Sequence, residues 1–162
     1  MTKSAYVTAL GIVQEPVTAL LRAEGFKKKG RTYNRIVGDE LIHVVNFQMG
    51  QYPIGNYVIP GIRESYYGKF TVNLGVYLPY VSQLERGSVA KRNYHEYDCE
   101  IRERLGTLAY GGQDVWWSLD NSARATGELI VGFMREFGLS FLASFCWETS
   151  SRRDSGRAAS AH

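Results

Sequence analysis

The stretch Lys69–Leu78, KFTVNLGVYL, decides how this chain is read, because Phe70, Val72, Leu74, Val76 and Leu78 alternate with Thr71, Asn73, Gly75 and Tyr77. Successive side chains of a strand point to opposite sides, so the pattern predicts a strand with one buried face. Upstream, Leu41–Met49 (LIHVVNFQM) also has strand composition. It is apolar on both sides in its first half and carries Asn46 and Gln48 on one side of its second, which suits a more central strand. Thr32–Val37 (TYNRIV) precedes it across Gly38, Asp39 and Glu40, and a short hairpin is the natural reading. His43 shares a side with Leu41, Val45 and Phe47, where a histidine is expected as a hydrogen-bonded core residue rather than a catalyst.

Further out, Leu10, Val13, Val17, Leu20 and Leu21 recur at helical spacing between about Ser4 and Glu24, with Gly25 as a left-handed stop. Pro16 either kinks this helix or sits in the first turn of a shorter one. Lys27, Lys28, Lys29, Gly30 and Arg31 then read as a solvated turn between helix and strand. Gly25, Gly30, Arg31 and Thr32 have the spacing of a phosphate-binding loop. The context rejects it, since such a loop follows a strand and opens a helix. Gly50–Gly68 is rich in Tyr, Gly and Pro and reads as a long excursion whose tyrosines, Tyr52, Tyr57, Tyr66 and Tyr67, offer contact area or pack the loop down. Ser82–Glu96 is a polar connection without a period.

Tyr97–Leu105, YDCEIRERL, reads as a strand with Tyr97, Cys99, Ile101 and Leu105 on one side and Asp98, Glu100, Arg102 and Arg104 on the other. A helix would instead pair Asp98 with Arg102 and Glu100 with Arg104. Of the adjacent Trp116 and Trp117, one is expected in the core and the other partly exposed. Asp120, Asn121 and Ser122 are candidate caps for a helix carrying Leu129, Ile130, Phe133, Met134 and Phe137 and closed by Gly138; an apolar helix follows from Leu139 to about Trp147. The tail Thr149–His162 is expected to be disordered.

At 162 residues and 44% hydrophobic content, the chain suits one domain, 1–148, around a single core. The formal charge is +3, and Arg152, Arg153 and Arg157 against Asp154 in the tail account for +2 of it. The near-neutral body lacks the basic footprint of a dedicated nucleic-acid binder. No apolar run is long enough to span a membrane and no export signal is read, so a cytoplasmic protein with reduced Cys99 and Cys146 is expected.

These segments resemble an uncharacterised, mainly bacterial family known only as domain of unknown function 4304. GFKKKGRTYNR (Gly25–Arg35), VVNFQ (Val44–Gln48), VNLGVYL (Val72–Leu78), YDCEIRERLG (Tyr97–Gly106) and VWWSL (Val115–Leu119) carry the resemblance in order and spacing, over roughly Val13 to Trp147. Gly50–Gly68 departs from the pattern as an insertion. The resemblance implies an α+β fold and brings no activity or catalytic residues. By analogy alone, some small bacterial α+β proteins act as immunity proteins beside toxins.

The expected architecture is therefore α+β: an antiparallel sheet of about four to five strands with N-terminal and C-terminal helices on one face. The opposite face would collect the candidate binding residues Asn46, Gln48, Asn73, Tyr77, Asp98, Arg102 and Arg104, with Trp117 added to the set and Tyr33 or Arg35 joining from the hairpin. Guanidinium groups and amides suit a carboxylate, a phosphate or an acidic protein surface. Alternatively, the acids and arginines simply neutralise one another. A binding protein for a toxin or another protein partner is the leading expectation, with no catalytic residues, cofactor or metal. His95 and Cys99 lack the second tight ligand pair of a zinc site, and neither a G-x-S-x-G elbow nor an H-E-x-x-H helix occurs. The alternative is a small enzyme or an anion-binding module using Arg102, Arg104, Asp98 and His43 in one cleft.

Overall fold

In the computed structural model, which describes residues 1–38, 41–51 and 65–146, KFTVNLGVYL supplies a central strand, β4 (Lys69–Tyr77). It pairs with β3 (Leu41–Met49), which pairs with β2 (Thr32–Val37), which pairs in turn with β1 (Lys27–Lys29). On its other side β4 pairs with β5 (Ile101–Arg104) and, nearer its start, with β6 (Trp117–Ser118). Every pairing is antiparallel, and among the described residues the sheet has six strands in the order β1-β2-β3-β4-β5, with β6 beside β4. Residues 52–64 of the expected excursion, the turn residues Asp39 and Glu40, Trp147 and the expected tail lie outside the described residues.

Helices close one face, as the alternation predicts. From α1 (Lys3–Ala23) come Leu10, Val13, Val17 and Leu21; from α4 (Ala123–Phe133) comes Ile130; from α5 (Leu139–Ala143) comes Leu142. They pack on Tyr33, Val45, Phe47, Phe70, Val72, Leu74 and Val76 in one continuous core. Pro16 sits inside α1, which runs on through it for 21 residues. Where α4 crosses, a Cβ on Gly127 would lie 2.8 Å from the Val13 carbonyl and 2.9 Å from Pro16 Cγ, so the absence of a side chain sets how closely the two helices approach.

Several local expectations change. Lys27–Lys29 is a short edge strand rather than a turn; the turn is Gly30, at φ +62°. Part of the aperiodic connection is α2 (Pro79–Arg86), whose exposed polar surface hides its period. Gly138 does not end the helix begun at Ser122. It has right-handed backbone and belongs to a π-helical turn (Met134–Gly138) leading into α5. A Cβ there would meet Met134 Sδ at 2.7 Å and Leu105 Cδ1 at 3.3 Å, so this glycine makes room rather than a stop.

YDCEIRERL is neither one strand nor one helix. Glu96–Asp98 is a 3-10 turn, β5 begins at Ile101, and α3 (Leu105–Ala109) begins at Leu105. The alternation therefore breaks at Cys99, which sits on the sheet's outer face while Ile101 and Leu105 belong to the helix-side core. On that outer face Cys99 and Tyr94 cover Ile42, Val44 and Tyr77 in a second, smaller cluster. Gly75 makes this possible: a Cβ on it would be 2.6 Å from Cys99 Sγ. No helix among the described residues is long and apolar enough to cross a membrane.

Candidate binding surface

Beyond Tyr94 and Cys99 the outer face is polar, with Thr32, Thr71 and Asn73 buried, Asn46 half-buried and Gln48 exposed, and the strand register aligns its residues. Lys29 is the partner of Thr32, Thr32 of Asn46, Asn46 of Asn73, and Asn73 of Arg104, so one row crosses β1 to β5 with a cation at each end. Within it Asn46 Nδ2 donates to Thr32 Oγ1 at 2.9 Å, and Asn73 Nδ2 donates to Gln48 Oε1 at 2.9 Å and to Asn46 Oδ1 at 3.4 Å. Asn73 is 3% exposed and its donors are spent on this network, which holds the row rigid. Gln48 is exposed and keeps its Nε2 donors uncommitted among the described residues.

The two ends of the row differ. At the β5 end Arg102 pairs with Glu96 at 3.3 Å and Arg104 pairs with Asp114. The Arg104 guanidinium also lies over the Trp116 ring, 5.4 Å from its centroid, and Trp116 stacks on Tyr66 at 4.4 Å. At the β1–β2 end Lys29, Arg31 and His95, with Asn34, Asn46 and Gln48, line an open groove of about 600 Å³ without any carboxylate among the described residues. Lys29 and Arg31 form no ion pair among the described residues. Sequence reasoning missed this end. Its signal was extension of the antiparallel register back across Gly30, which puts Lys27 and Lys29 on the side of Asn34 and Thr32.

The structure thus brings Asn46, Gln48, Asn73, Arg102 and Arg104 together on one face. Tyr77 is on that face but buried, its ring 4.2 Å from that of Tyr94. Asp98 lies beyond the strand: it takes Lys91 Nζ at 2.6 Å and the His95 amide at 2.9 Å. Burial works to raise its pKa, but these bonds win and hold the carboxyl below its usual value. Trp117 is 7% exposed on the helix side, against Phe70 and Phe133, and Trp116 is the partly exposed member of the pair.

Tyr33 and Arg35 do not join this face. Strand parity sends both to the helix side, where Tyr33 Oη takes a bond from Gln14 Nε2 at 3.0 Å and Arg35 Nη1 donates to the Glu24 carbonyl at 2.9 Å. His43, 1% exposed, is held there too, with Nδ1 3.0 Å from Arg35 Nη2 and Nε2 2.9 Å from the Phe145 carbonyl oxygen. A guanidinium can only donate and a carbonyl can only accept, so the imidazole is neutral with its proton on Nε2. Burial lowers its pKa, the Phe145 carbonyl opposes that, and Arg35 lowers it further. The sheet therefore separates His43 from Arg102 and Arg104, and the single cleft of the enzymatic alternative is not assembled. Burial likewise pushes the Cys99 thiol up to about 12, with Glu100 and Asp98 adding to the shift, which leaves it a poor nucleophile. No group of three His, Cys, Asp or Glu side chains converges as metal ligands among the described residues.

A protein-family model described as "Domain of unknown function (DUF4304)" matches residues 17–144. Neither the curated proteins nor the solved structures yielded a match.

Proposed function

The chain belongs to the DUF4304 family, whose function is unknown, and on that premise we propose that it is a binding protein engaging a protein partner through the exposed and half-exposed side chains of the polar half of its outer sheet face. The observation that carries this reading is the row Lys29, Thr32, Asn46, Asn73 and Arg104, whose three middle side chains are hydrogen-bonded to one another and to Gln48, an exposed residue with Nε2 uncommitted among the described residues. A surface prepared in this way loses little side-chain entropy on binding. Gln48 Nε2 and the Arg104 guanidinium stacked on Trp116 supply directional donors rather than a reacting group. The most concrete version is an immunity-type protein that blocks a toxin in the cytoplasm of a bacterial cell.

The test is affinity capture of the tagged protein from its own cells after nuclease treatment, beside an Arg102→Ala/Arg104→Ala variant and a Gln48→Ala variant. The reading expects a stoichiometric protein partner, depleted at least about tenfold in the arginine variant, the equivalent of about 1.4 kcal/mol. A turnover by the isolated protein that the same arginine change abolishes, with no partner captured, would replace it with the enzymatic reading.

A further inference from the structure

Six basic residues, Lys27, Lys28, Lys29, Arg31, Lys91 and Arg92, line two neighbouring grooves. Beside the groove lined by Lys29 and Arg31 lies a second of about 530 Å³, lined by Lys27, Lys28, Lys91 and Arg92, again without a carboxylate among the described residues. Asn34 and Asn93 line both grooves. Between them Asn34 grips the chain at Tyr94 from both sides: its Nδ2 donates to the Tyr94 carbonyl at 2.8 Å and its Oδ1 accepts from the Tyr94 amide at 2.7 Å. That reciprocal pair, with the Lys91 amide donating to Tyr94 Oη at 2.9 Å, fixes one basic wall against the other. Of these cations only Lys91 has an acidic partner among the described residues, Asp98. Among the described residues, a body that is nearly neutral overall therefore has a trough along its β1–β2 side whose charged lining is cationic, and the field of such a trough concentrates anions in it.

We propose that this trough receives an extended acidic segment of the protein partner, a deepening that rests on the binding reading above. The shape argues for an extended occupant. The cations lie in two grooves on either side of the Asn34–Tyr94 clamp rather than converging on one point, so a compact anion in one groove leaves the other unmatched. The lining argues for a peptide. Ile36, 75% exposed, with half-buried Pro79, gives apolar contact beside Lys27, Lys28 and Arg92; Tyr94 of that groove is buried, and the exposed ring of the trough is His95 in the other groove, stacked on Tyr97, a single platform rather than the succession that stacked bases use. Carboxylates meeting lysines and arginines, with aliphatic side chains between, satisfy both features.

The test is fluorescence anisotropy with a labelled peptide of alternating glutamate and leucine, the same peptide with glutamine for glutamate, and a labelled oligothymidylate. Variants are Lys29→Glu/Arg31→Glu for one groove, Lys27→Glu/Arg92→Glu for the other, and, as a control of equal cation loss, Arg124→Ala/Arg135→Ala, exposed residues on α4 and the turn after it. Lys27, Lys29 and Arg92 are exposed, and circular dichroism confirms that each variant is folded. Should Lys29→Glu/Arg31→Glu fail to fold, the other reversal still decides. The expected result is salt-sensitive binding of the glutamate peptide alone. Each reversal should weaken it at least about tenfold, while Arg124→Ala/Arg135→Ala leaves it within about twofold. Equal binding of the two peptides, preference for the oligothymidylate, or indifference to both reversals would overturn the proposal. In the capture experiment, a partner kept by both reversed variants yet lost from Arg102→Ala/Arg104→Ala would overturn the trough and leave the binding face standing.

Discussion

The two sides of β3 and β4 are closed in different ways. Toward the helices, Phe47 and Val72 are register partners on a face sealed by α1, α4 and α5, and the closure is dry apolar packing. One residue along, Asn46 and Asn73 are partners on the outer face, where closure is half made by the chain around Tyr94 and Cys99 and half left to hydrogen-bonded amides. The cover on that side is tethered by polar links. Asn34 holds Tyr94, Arg86 pairs with Glu100 at 2.5 Å, and the Leu78 amide donates to Glu100 Oε2 at 2.7 Å. Apolar area drives the first closure, and register-specific hydrogen bonds position the second without contributing as much net free energy.

The sharpest way to break this contrast is to truncate neighbouring residues on the two sides. Phe47→Ala should cost about 3–5 kcal/mol in urea denaturation, because a buried aromatic that stacks on Phe70 leaves a cavity. Gln48→Ala should stay within about 0.5 kcal/mol. Similar losses at both positions would mean that the outer face is as much a core as the inner one.

Next in size is the contact that seats the outer cover. Gly75→Ala should destabilise by about 1–3 kcal/mol, since the new methyl group meets Cys99 Sγ and Cβ, and adding Cys99→Ala should restore most of the loss. If the second change does not compensate, the cover is not seated through Gly75.

His43 sharpens the comparison through pH. Its folded pKa is depressed, so the unfolded chain takes up the proton first as the pH falls below about 6.5. The contribution to stability is whole above that pH and is lost as the pH drops from there toward the lower folded value. His43→Gln should therefore show a flatter stability profile than wild type between about pH 7.5 and 5. Parallel profiles would show that the imidazole is not held neutral. A small effect is expected at the β5 end as well. Arg102, about half exposed beside Glu96, should cost under about 1 kcal/mol as Arg102→Ala, so any large loss in the capture experiment would belong to binding rather than folding.

Particular residues show what was readable in advance. Alternation in KFTVNLGVYL and LIHVVNFQM placed Phe47, Val72 and Asn73 on their correct sides, and the VWWSL tryptophans divide between core and surface as expected, although Trp117, taken into the binding set, is the core member. Apolar spacing found α1, and the Ser122 hydroxyl, which accepts from the Ala125 amide, caps α4 as expected. The misreadings share a cause. Gly138 looks like a stop only if the space filled by Met134 and Leu105 is ignored, and Cys99 looks like a neighbour of Ile101 only if the strand is assumed to begin before Ile101. Lys27–Lys29 is solvated as expected, though as an edge strand, and nothing nearby in the chain hints at Asn93 and His95, which line the same groove as Lys29 and Arg31.

What the amino-acid order determined alone was the period of each segment, and with it the α+β class, the helix-side core and the parity that puts Asn46, Asn73, Arg102 and Arg104 on one face. What only the tertiary structure decided was how that face is divided. The cover from Tyr94 to Cys99, the pairing of Arg102 with Glu96 and of Arg104 with Asp114, and the trough between β1 and Arg92 all join residues distant in the chain or cross irregular segments. Periodicity is a local property of the backbone; these contacts depend on where the chain returns, which no local pattern encodes.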